Sequence, residues 1–367
     1  MRAKVQVTLI AVLLSACGGQ KLSHTASVAA STTLLSVPAY TVHPGLSDVL
    51  FFHQDNTEQR DARLAPTDCR AHISDVICNI DKLPNTNGGQ VNCKPDDGTY
   101  AKPLQALYDH YPPALQRMFC SLSVIYLTDD SGGTAFAGLT YDKDHHITGA
   151  ELGIRRSVID QSLSLTTWAT WKEELSFGGI TGSYIATAGL PYIETSTKPA
   201  VSDFLYFTIS HEFGHMFDFV NGLNQFVAMP AGPGAPVNPP AAVPGSWSSF
   251  SWATDKAVTS AGKFPYRKGL CFYSCDGEPM SKAAAPEVYR GLYASNFIST
   301  YAASNPWDDL ADSFAYYRMD KELGTSYTLH TGQGEAYDIM QKLGSDVFAA
   351  KRQFITDFFG RPTITYP

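Results

Sequence analysis

The amino-acid sequence predicts an α+β fold, and two patterns lead to this prediction. Between residues 123 and 193, short runs of β-branched and aromatic residues separated by turn residues are typical of strands. A long helical pattern follows at residues 199–221, and two further helical patterns lie in the C-terminal part. Because these strands precede the long helix and do not alternate with helices, the order favours α+β.

The first predicted elements are two short helices and a set of strands. Residues 103–122 have apolar residues at helical spacing, and Pro112 and Pro113 interrupt the helix. The strand patterns that follow lie at residues 123–130, 134–142, 147–160 and 183–193. A turn that contains His145 and His146 separates the second pattern from the third, and we interpret both histidines as solvated turn residues.

The long helix and the C-terminal helices have recognisable ends. Pro199 suits a first helical position, and Asn221 with Gly222 is a good stop signal. Residues 229–245 are dense in proline and glycine, so we expect an extended, exposed insertion there. A second helix is predicted with Asn305 as N-cap and Pro306 as first residue. The last helical region covers residues 335–360, with a break expected at Gly344.

Composition and charge restrict the class of partner. The chain has 367 residues, of which 44% are hydrophobic and 17% charged, as is usual for one large or two modest globular domains. Its formal net charge is -8, and no basic stripe is present to neutralise phosphates. These properties exclude a nucleic-acid partner.

The N-terminus has the pattern of an export signal. Arg2 and Lys4 precede a short apolar stretch at residues 7–14, which is too short to span a bilayer. The following "LSAC" at residues 14–17 resembles the lipobox of bacterial lipoproteins. This resemblance implies a signal peptide at residues 1–16, lipidation of Cys17 and attachment of the exported chain to a membrane of the cell envelope. The alternative is an ordinary signal peptide that is cleaved near Ala16.

Residues 17–40 are predicted to be a lipidated tether, and residues 41–100 a disulfide-rich region. Six cysteines remain after Cys17, and an even number in an exported chain indicates disulfides. Cys271 and Cys275 are close enough in sequence to close a small loop. The other four are expected to pair among themselves: Cys69, Cys78, Cys93 and Cys120. A structural zinc cluster is disfavoured because no CxxC pair is present.

The stretch "TISHEFGHMF" at residues 208–217 contains the candidate metal-binding residues. His211 and His215 are four residues apart on the predicted helix, so both imidazoles can bind one metal ion. Glu212 lies beside them, where it can take a proton from a water molecule. We interpret Gly214 as leaving room beside the metal. The alternative is that both histidines are ordinary surface residues with satisfied polar atoms and bind no metal.

This "HEFGH" helix after a set of strands resembles the zincin metallopeptidases. The resemblance implies a zincin-like catalytic domain at residues 101–367, one zinc ion and a twisted sheet over the HExxH helix. It also implies a peptide or protein substrate that binds along an edge strand. The candidates for that strand are residues 147–159 and 182–190.

The third ligand separates the zincin branches. Asp218 and Asn221 do not fit the metzincin pattern, and none of the GT dipeptides has the aspartate that aspzincins require. The gluzincin pattern is best matched by "WDDLADSFAYY", where Asp308 would bind zinc and Asp312 would orient a histidine. An aspartate is about 1.5 Å shorter than the usual glutamate, so its helix must lie closer. Asp309 is the alternative ligand.

A tyrosine is expected to stabilise the oxyanion. In the lethal-factor-like branch of gluzincins a tyrosine precedes the ligand acid by seven positions, and Tyr301 has this offset from Asp308. The alternatives are Tyr316, Tyr317 and His330.

The sequence therefore predicts an exported zinc metallopeptidase with Glu212 as general base. Two alternatives remain open: a non-catalytic zincin-fold scaffold lipoprotein, and a zinc amidase that acts on cell-wall peptides. The retained Glu212 disfavours the scaffold, and the lack of a cell-wall-binding module disfavours the amidase. The sequence specifies neither the side-chain preference nor the oligomeric state.

Overall fold

The computed structural model describes two N-terminal strands, Thr33–Val37 and Tyr40–Val42, and most of the chain after residue 67. The described ranges after residue 67 are 68–83, 89–129, 133–141, 147–180, 184–196, 201–229, 238–272 and 278–367. The predicted signal peptide, Cys17, His145, His146 and Cys275 lie outside these residues. Among the described helices, none combines the length and apolarity that a membrane span needs.

The described chain is a mixed α/β structure. Its helices are α1 Cys69–Val76, α2 Ala101–His110, α3 Pro113–Cys120, α4 Arg156–Ile159, α5 Leu165–Leu175, α6 Asp203–Asn221, α7 Ser248–Ser251, α8 Ala285–Ala294, α9 Pro306–Arg318, α10 Ile339–Gly344 and α11 Ala349–Phe359. A π-helical turn, Met319–Leu323, extends α9, and short 3₁₀ turns occur at Ser260–Gly262, Arg267–Gly269, Lys282–Ala284 and Asp346–Phe348. The strands are β1 Thr33–Val37, β2 Tyr40–Val42, β3 Ile77–Asn79, β4 Gly89–Cys93, β5 Leu122–Leu127, β6 Ala135–Tyr141, β7 Ile147–Ile154, β8 Tyr192–Ser196, β9 Phe226–Met229, β10 Asn238–Ala242, β11 Ser326–His330 and β12 Ala336–Asp338.

The largest described sheet has five strands in the order β2-β6-β7-β5-β3. Strands β3, β5 and β7 are parallel to one another, whereas β6 is antiparallel to both β7 and β2. A second sheet is antiparallel with the order β12-β11-β8. Helix α6 packs against β6 and against α9, so the five-stranded sheet and α9 lie next to the helix that carries the HExxH motif.

Neither of the two segments predicted to be the substrate-binding edge strand is an edge strand. Residues 147–154 form β7, which lies between β5 and β6 in the interior of the sheet, and residues 156–159 form a helix. Residues 184–190 are not in a strand. The consecutive buried residues of β7 fit its position, because a strand covered on both faces shows no alternation. The strand beside α6 is β6, and β2 pairs only with its residues 139–141.

Helix α6 begins later than predicted. Its N-cap is Ser202, whose hydroxyl accepts a hydrogen bond from the backbone N–H of Leu205, so the helix starts at Asp203 and not near residue 199. The predicted end is confirmed: Gly222 has φ 51°, a left-handed conformation that glycine adopts without strain. The N-cap Asn305 and the first residue Pro306 of α9 are confirmed as well.

Gly214 has a different role from the one predicted. A Cβ atom at Gly214 would lie 2.9 Å from the Cα of Ala311 on α9, and no real Cβ contact is that short. The missing side chain therefore allows two helices to approach, and it does not create space beside the metal ligands.

The sequence did not predict helix α5. Almost all of its residues are buried, including Lys172, Glu173 and Glu174. A helix that is covered on every side has no polar face, so its sequence lacks the amphipathic spacing of a surface helix. The last predicted helical region is broken at Gly344 as expected, but its first residues form β12.

Two disulfides are present among the described residues, Cys69–Cys120 and Cys78–Cys93. The prediction that these four cysteines pair among themselves is thus confirmed. Cys271 is also disulfide-bonded, and its expected partner lies outside the described residues. In the proline-rich segment, β9 and β10 pair with a register shift between Asn238 and Ala241. Pro239 and Pro240 occupy the shift, as expected for residues without an N–H group.

Candidate metal centre

Helix α6 brings the two motif histidines together. One helical turn separates His211 from His215, and their Nε2 atoms lie 3.1 Å apart. Both rings are largely buried, with side-chain exposures of 12% and 15%. The packing behind them is aromatic, because Phe207 and Phe213 on the same helix belong to the core.

Asp308 comes from α9 and points at the same spot. Its Oδ1 atom lies 3.3 Å from Nε2 of His215 and 3.6 Å from Nε2 of His211. The second oxygen accepts a hydrogen bond of 2.5 Å from the side-chain amide of Asn305. The short aspartate reaches the histidines because α9 lies close to α6 at Gly214.

The donor atoms fit a zinc ion. His211, His215 and Asp308 form a group that can hold a metal ion, with ligand atoms all within 4.8 Å of one another. Zinc with ligands at about 2.0–2.1 Å in tetrahedral geometry requires neighbouring donors about 3.3–3.4 Å apart. The observed separations of 3.1, 3.3 and 3.6 Å bracket that value.

Asp312 fixes the orientation of the first histidine. The Nδ1–H group of His211 donates to Oδ1 of Asp312 at 2.8 Å, which directs the lone pair of Nε2 at the metal position. The other oxygen of Asp312 accepts a hydrogen bond from Ser299. Burial by itself raises the pKa of Asp312, but the charge of Lys172 and the bond to His211 outweigh it, so the pKa is lowered.

The metal-free ligands form a charged cluster. Burial lowers the pKa of His211, but its bonds to Asp308 and Asp312 outweigh burial and raise the pKa to about 10. The pKa of Asp308 shows the reverse balance: burial raises it, and the two histidines lower it to well below its usual range. A metal ion must therefore displace a proton from His211.

Glu212 is placed beside the ligands and not among them. It is 5% exposed and lines the same cleft as His211. Burial raises the pKa of its carboxyl group, while the neighbouring His211 and His215 act in the opposite direction. A carboxylate with a raised pKa is a better proton acceptor than an exposed glutamate, as a general base requires.

The cleft next to His211 is partly open to solvent. Tyr301 forms one wall, and its ring centroid lies 6.0 Å from that of His211. The remaining lining residues are Gly133, Thr134, Ala135, Trp168, Phe207, Thr208, Glu212 and Asp312.

The alternative site residues lie elsewhere. Asp309 is fully buried in the core, where its oxygens are 2.5 and 2.7 Å from Nζ of Lys351. Tyr316 packs in the core between Phe207 and Tyr327, and the Tyr317 hydroxyl lies 3.2 Å from that of Thr356. His330 stacks on Tyr192 and lies 3.0 Å from Glu194.

Several residues of the site escaped the sequence analysis. Trp168 and Lys172 come from α5, a helix without an amphipathic signal, and Thr134 precedes β6. Ser299 also belongs to the site, and its position two residues before Tyr301 was the only feature of the sequence that could have indicated it.

No protein-family model, curated protein or solved structure matches this chain.

Proposed function

We propose that this chain is a zinc-dependent metallopeptidase of the zincin type, with a gluzincin-like third ligand. The observation that carries the proposal is the convergence of His211, His215 and Asp308 with donor separations of 3.1 to 3.6 Å. Glu212 beside this group and Asp312 behind it supply the base and the orienting acid.

His211, His215 and Asp308 would hold the ion. When bound, zinc supplies Lewis-acid chemistry, which polarises a carbonyl group and makes water nucleophilic near neutral pH. Glu212 takes a proton from the attacking water at its carboxylate and returns it to the leaving amine. Tyr301 lines the cleft with its ring centroid 6.0 Å from that of His211, and in this proposal its hydroxyl donates a hydrogen bond to the developing oxyanion.

Strand β6 offers a place for an extended peptide. Gly133, Thr134 and Ala135 line the cleft directly before and at the start of this strand. Among the described strands, β2 pairs with residues 139–141 of β6, and β7 pairs along the whole of β6. In this proposal, a substrate backbone lies extended along the start of β6.

The proposal is tested by metal analysis together with peptide cleavage. Wild type is expected to hold about one zinc, and His211→Ala and Asp308→Ala to lose most of it. Glu212→Gln should keep the zinc and lose about 10²- to 10⁴-fold in cleavage of an unfolded protein. His330→Ala is the matched control, since it removes a histidine paired with a carboxylate outside the cleft.

The outcomes separate the alternatives. Equal zinc in wild type and Glu212→Gln without cleavage by either protein would favour a non-catalytic scaffold. Cleavage of cell-wall peptides without cleavage of proteins would favour a zinc amidase. Full zinc occupancy in Asp308→Ala would reject the third-ligand assignment.

The proposed peptidase is exported and carries a lipid on Cys17, as the "LSAC" stretch implies. Export agrees with the disulfides, which persist in oxidising compartments.

A further inference from the structure

Lys172 on α5 is a buried cation that makes no hydrogen bond to any residue the structure describes. It is 1% exposed, and no acceptor among the described residues is within reach of its Nζ atom. Burying an ammonium group without a hydrogen bond costs several kcal/mol, which the charges of Asp312 and Glu173 offset through space, and a methionine of similar reach would avoid that cost. We therefore expect the positive charge of Lys172 to have a function.

Two aromatic rings enclose this nitrogen. Nζ lies 4.3 Å from the ring centroid of Trp168 and 4.6 Å from that of Tyr301, both within cation–π distance. These two rings are walls of the cleft, so Lys172 lies directly behind its lining.

Tyr301 is held from other directions as well. The ring of Phe272 packs edge-on at 5.2 Å, and the ring of His211 lies at 6.0 Å. The two residues before Tyr301 are held by hydrogen bonds from their side chains. The hydroxyl group of Ser299 donates to Asp312, and that of Thr300 donates to Glu173 at 2.7 Å. Glu173 is the neighbour of Lys172 on α5, so one helix fixes both the ring and the backbone before it.

The geometry points to Lys172 as a positioning residue that holds the Tyr301 ring in the orientation for oxyanion stabilisation. This inference rests on the proposed peptidase function and assigns Lys172 no contact with substrate.

Kinetics of Lys172→Met, Tyr301→Phe and the double variant test the inference. Lys172→Met should lower kcat about tenfold to thirtyfold, the value of a desolvated cation–π contact, with KM and zinc content unchanged. Lys172→Arg should restore most of the rate, because a guanidinium group also stacks on aromatic rings. In the Tyr301→Phe background, Lys172→Met should have little further effect. Lys263→Met, which removes an exposed lysine, is the matched control.

Two results would overturn the inference. One is a loss of zinc in Lys172→Met. The other is that Lys172→Met slows the Tyr301→Phe enzyme as much as it slows wild type. If wild type cleaves no peptide, the proposed function fails, but the contact is still tested by thermal unfolding. Tm shifts of Lys172→Met and Tyr301→Leu that are not additive in the double variant support the contact, and additive shifts reject it.

Discussion

At His211, two carboxylates compete with burial for control of the ring. Asp312 holds Nδ1 at 2.8 Å, and Asp308 faces Nε2 at 3.6 Å. Their combined effect raises the pKa of His211 from 6.5 to about 10 although burial acts against it. The side chain is therefore protonated near neutral pH in the metal-free protein, and metal binding is coupled to proton release.

This coupling predicts opposite pH dependences for the two forms. The folded-state pKa is raised, so the stabilisation by His211 is complete below pH 6.5 and is lost as the pH rises towards about 10. The Tm of the metal-free protein should fall across that window. The increase in Tm on adding zinc should grow across it, because fewer protons compete.

Thermal unfolding of wild type and His211→Ala, each with chelator and with zinc, checks this prediction. In His211→Ala, both the Tm of the metal-free protein and the increase in Tm on adding zinc should depend less on pH than in wild type. A metal-free wild type whose Tm follows that of His211→Ala from pH 6.5 to about 10 would contradict it.

At the scale of elements, the site depends on how closely α6 and α9 approach. Gly214 faces Ala311, and a Cβ atom there would lie 2.9 Å from the Ala311 backbone. Both Asp308 and Asp312 are carried by α9, so the separation of the two helices determines whether the acids reach the histidines.

Gly214→Ala should therefore impair both stability and metal binding. We expect overpacking to lower the free energy of unfolding by about 1–3 kcal/mol. Zinc affinity should fall as well, because α9 moves away from His211 and His215. Urea unfolding and a zinc titration measure the two effects. Gly344→Ala is the control, since nothing lies within 4 Å of its added Cβ; equal behaviour of the two variants would refute the prediction.

The sequence predicted those elements whose signals are local. Asn305 and Pro306 define the start of α9, and Gly222 defines the end of α6, by capping rules that need no tertiary information. Helix α5 was missed because burial on every side removes periodicity. The edge strand was misassigned because the order of strands in a sheet depends on which segments pair, and the local pattern of residues does not record this.

The same division holds for the site. His211, Glu212 and His215 belong to one local motif, and Asp308 was predicted because it lies four residues before Asp312 on a second helix, as the gluzincin resemblance implies. The contact between Lys172 and Tyr301 joins residues far apart in the chain, so no sequence spacing indicates it. The role of Gly214 was misread for the same reason, since its neighbour Ala311 is on another helix.

At the scale of the whole molecule, disulfides fasten the N-terminal helices to the core. Cys69–Cys120 joins α1 to the end of α3. The neighbouring Phe119 packs edge-on against Phe213 of α6 with ring centroids 5.1 Å apart. The N-terminal region is thus attached to the back of the HExxH helix, on the side away from the ligands.

Removal of this disulfide should lower stability and leave the metal site intact. For a sequence separation of 51 residues, Cys69→Ala with Cys120→Ala should cost about 4 kcal/mol of unfolding free energy. The pair Cys78→Ala and Cys93→Ala, with a separation of 15, should cost about 3 kcal/mol. Urea unfolding measures both. Zinc content should stay at the wild-type value, and unchanged unfolding midpoints would contradict the prediction.

The buried pair of Asp309 and Lys351 has a consequence for the order in which the molecule is made. Asp309 follows directly after Asp308, and its charge is compensated by a lysine on α11 that the ribosome adds much later. Without that lysine, the Asp309 carboxylate would keep the hydrogen bond from Trp252 but lose its ion pair, so α9 would bury an anion without this counter-ion. The acids of α9 are therefore expected to reach His211 and His215 only after α11 has folded against this helix.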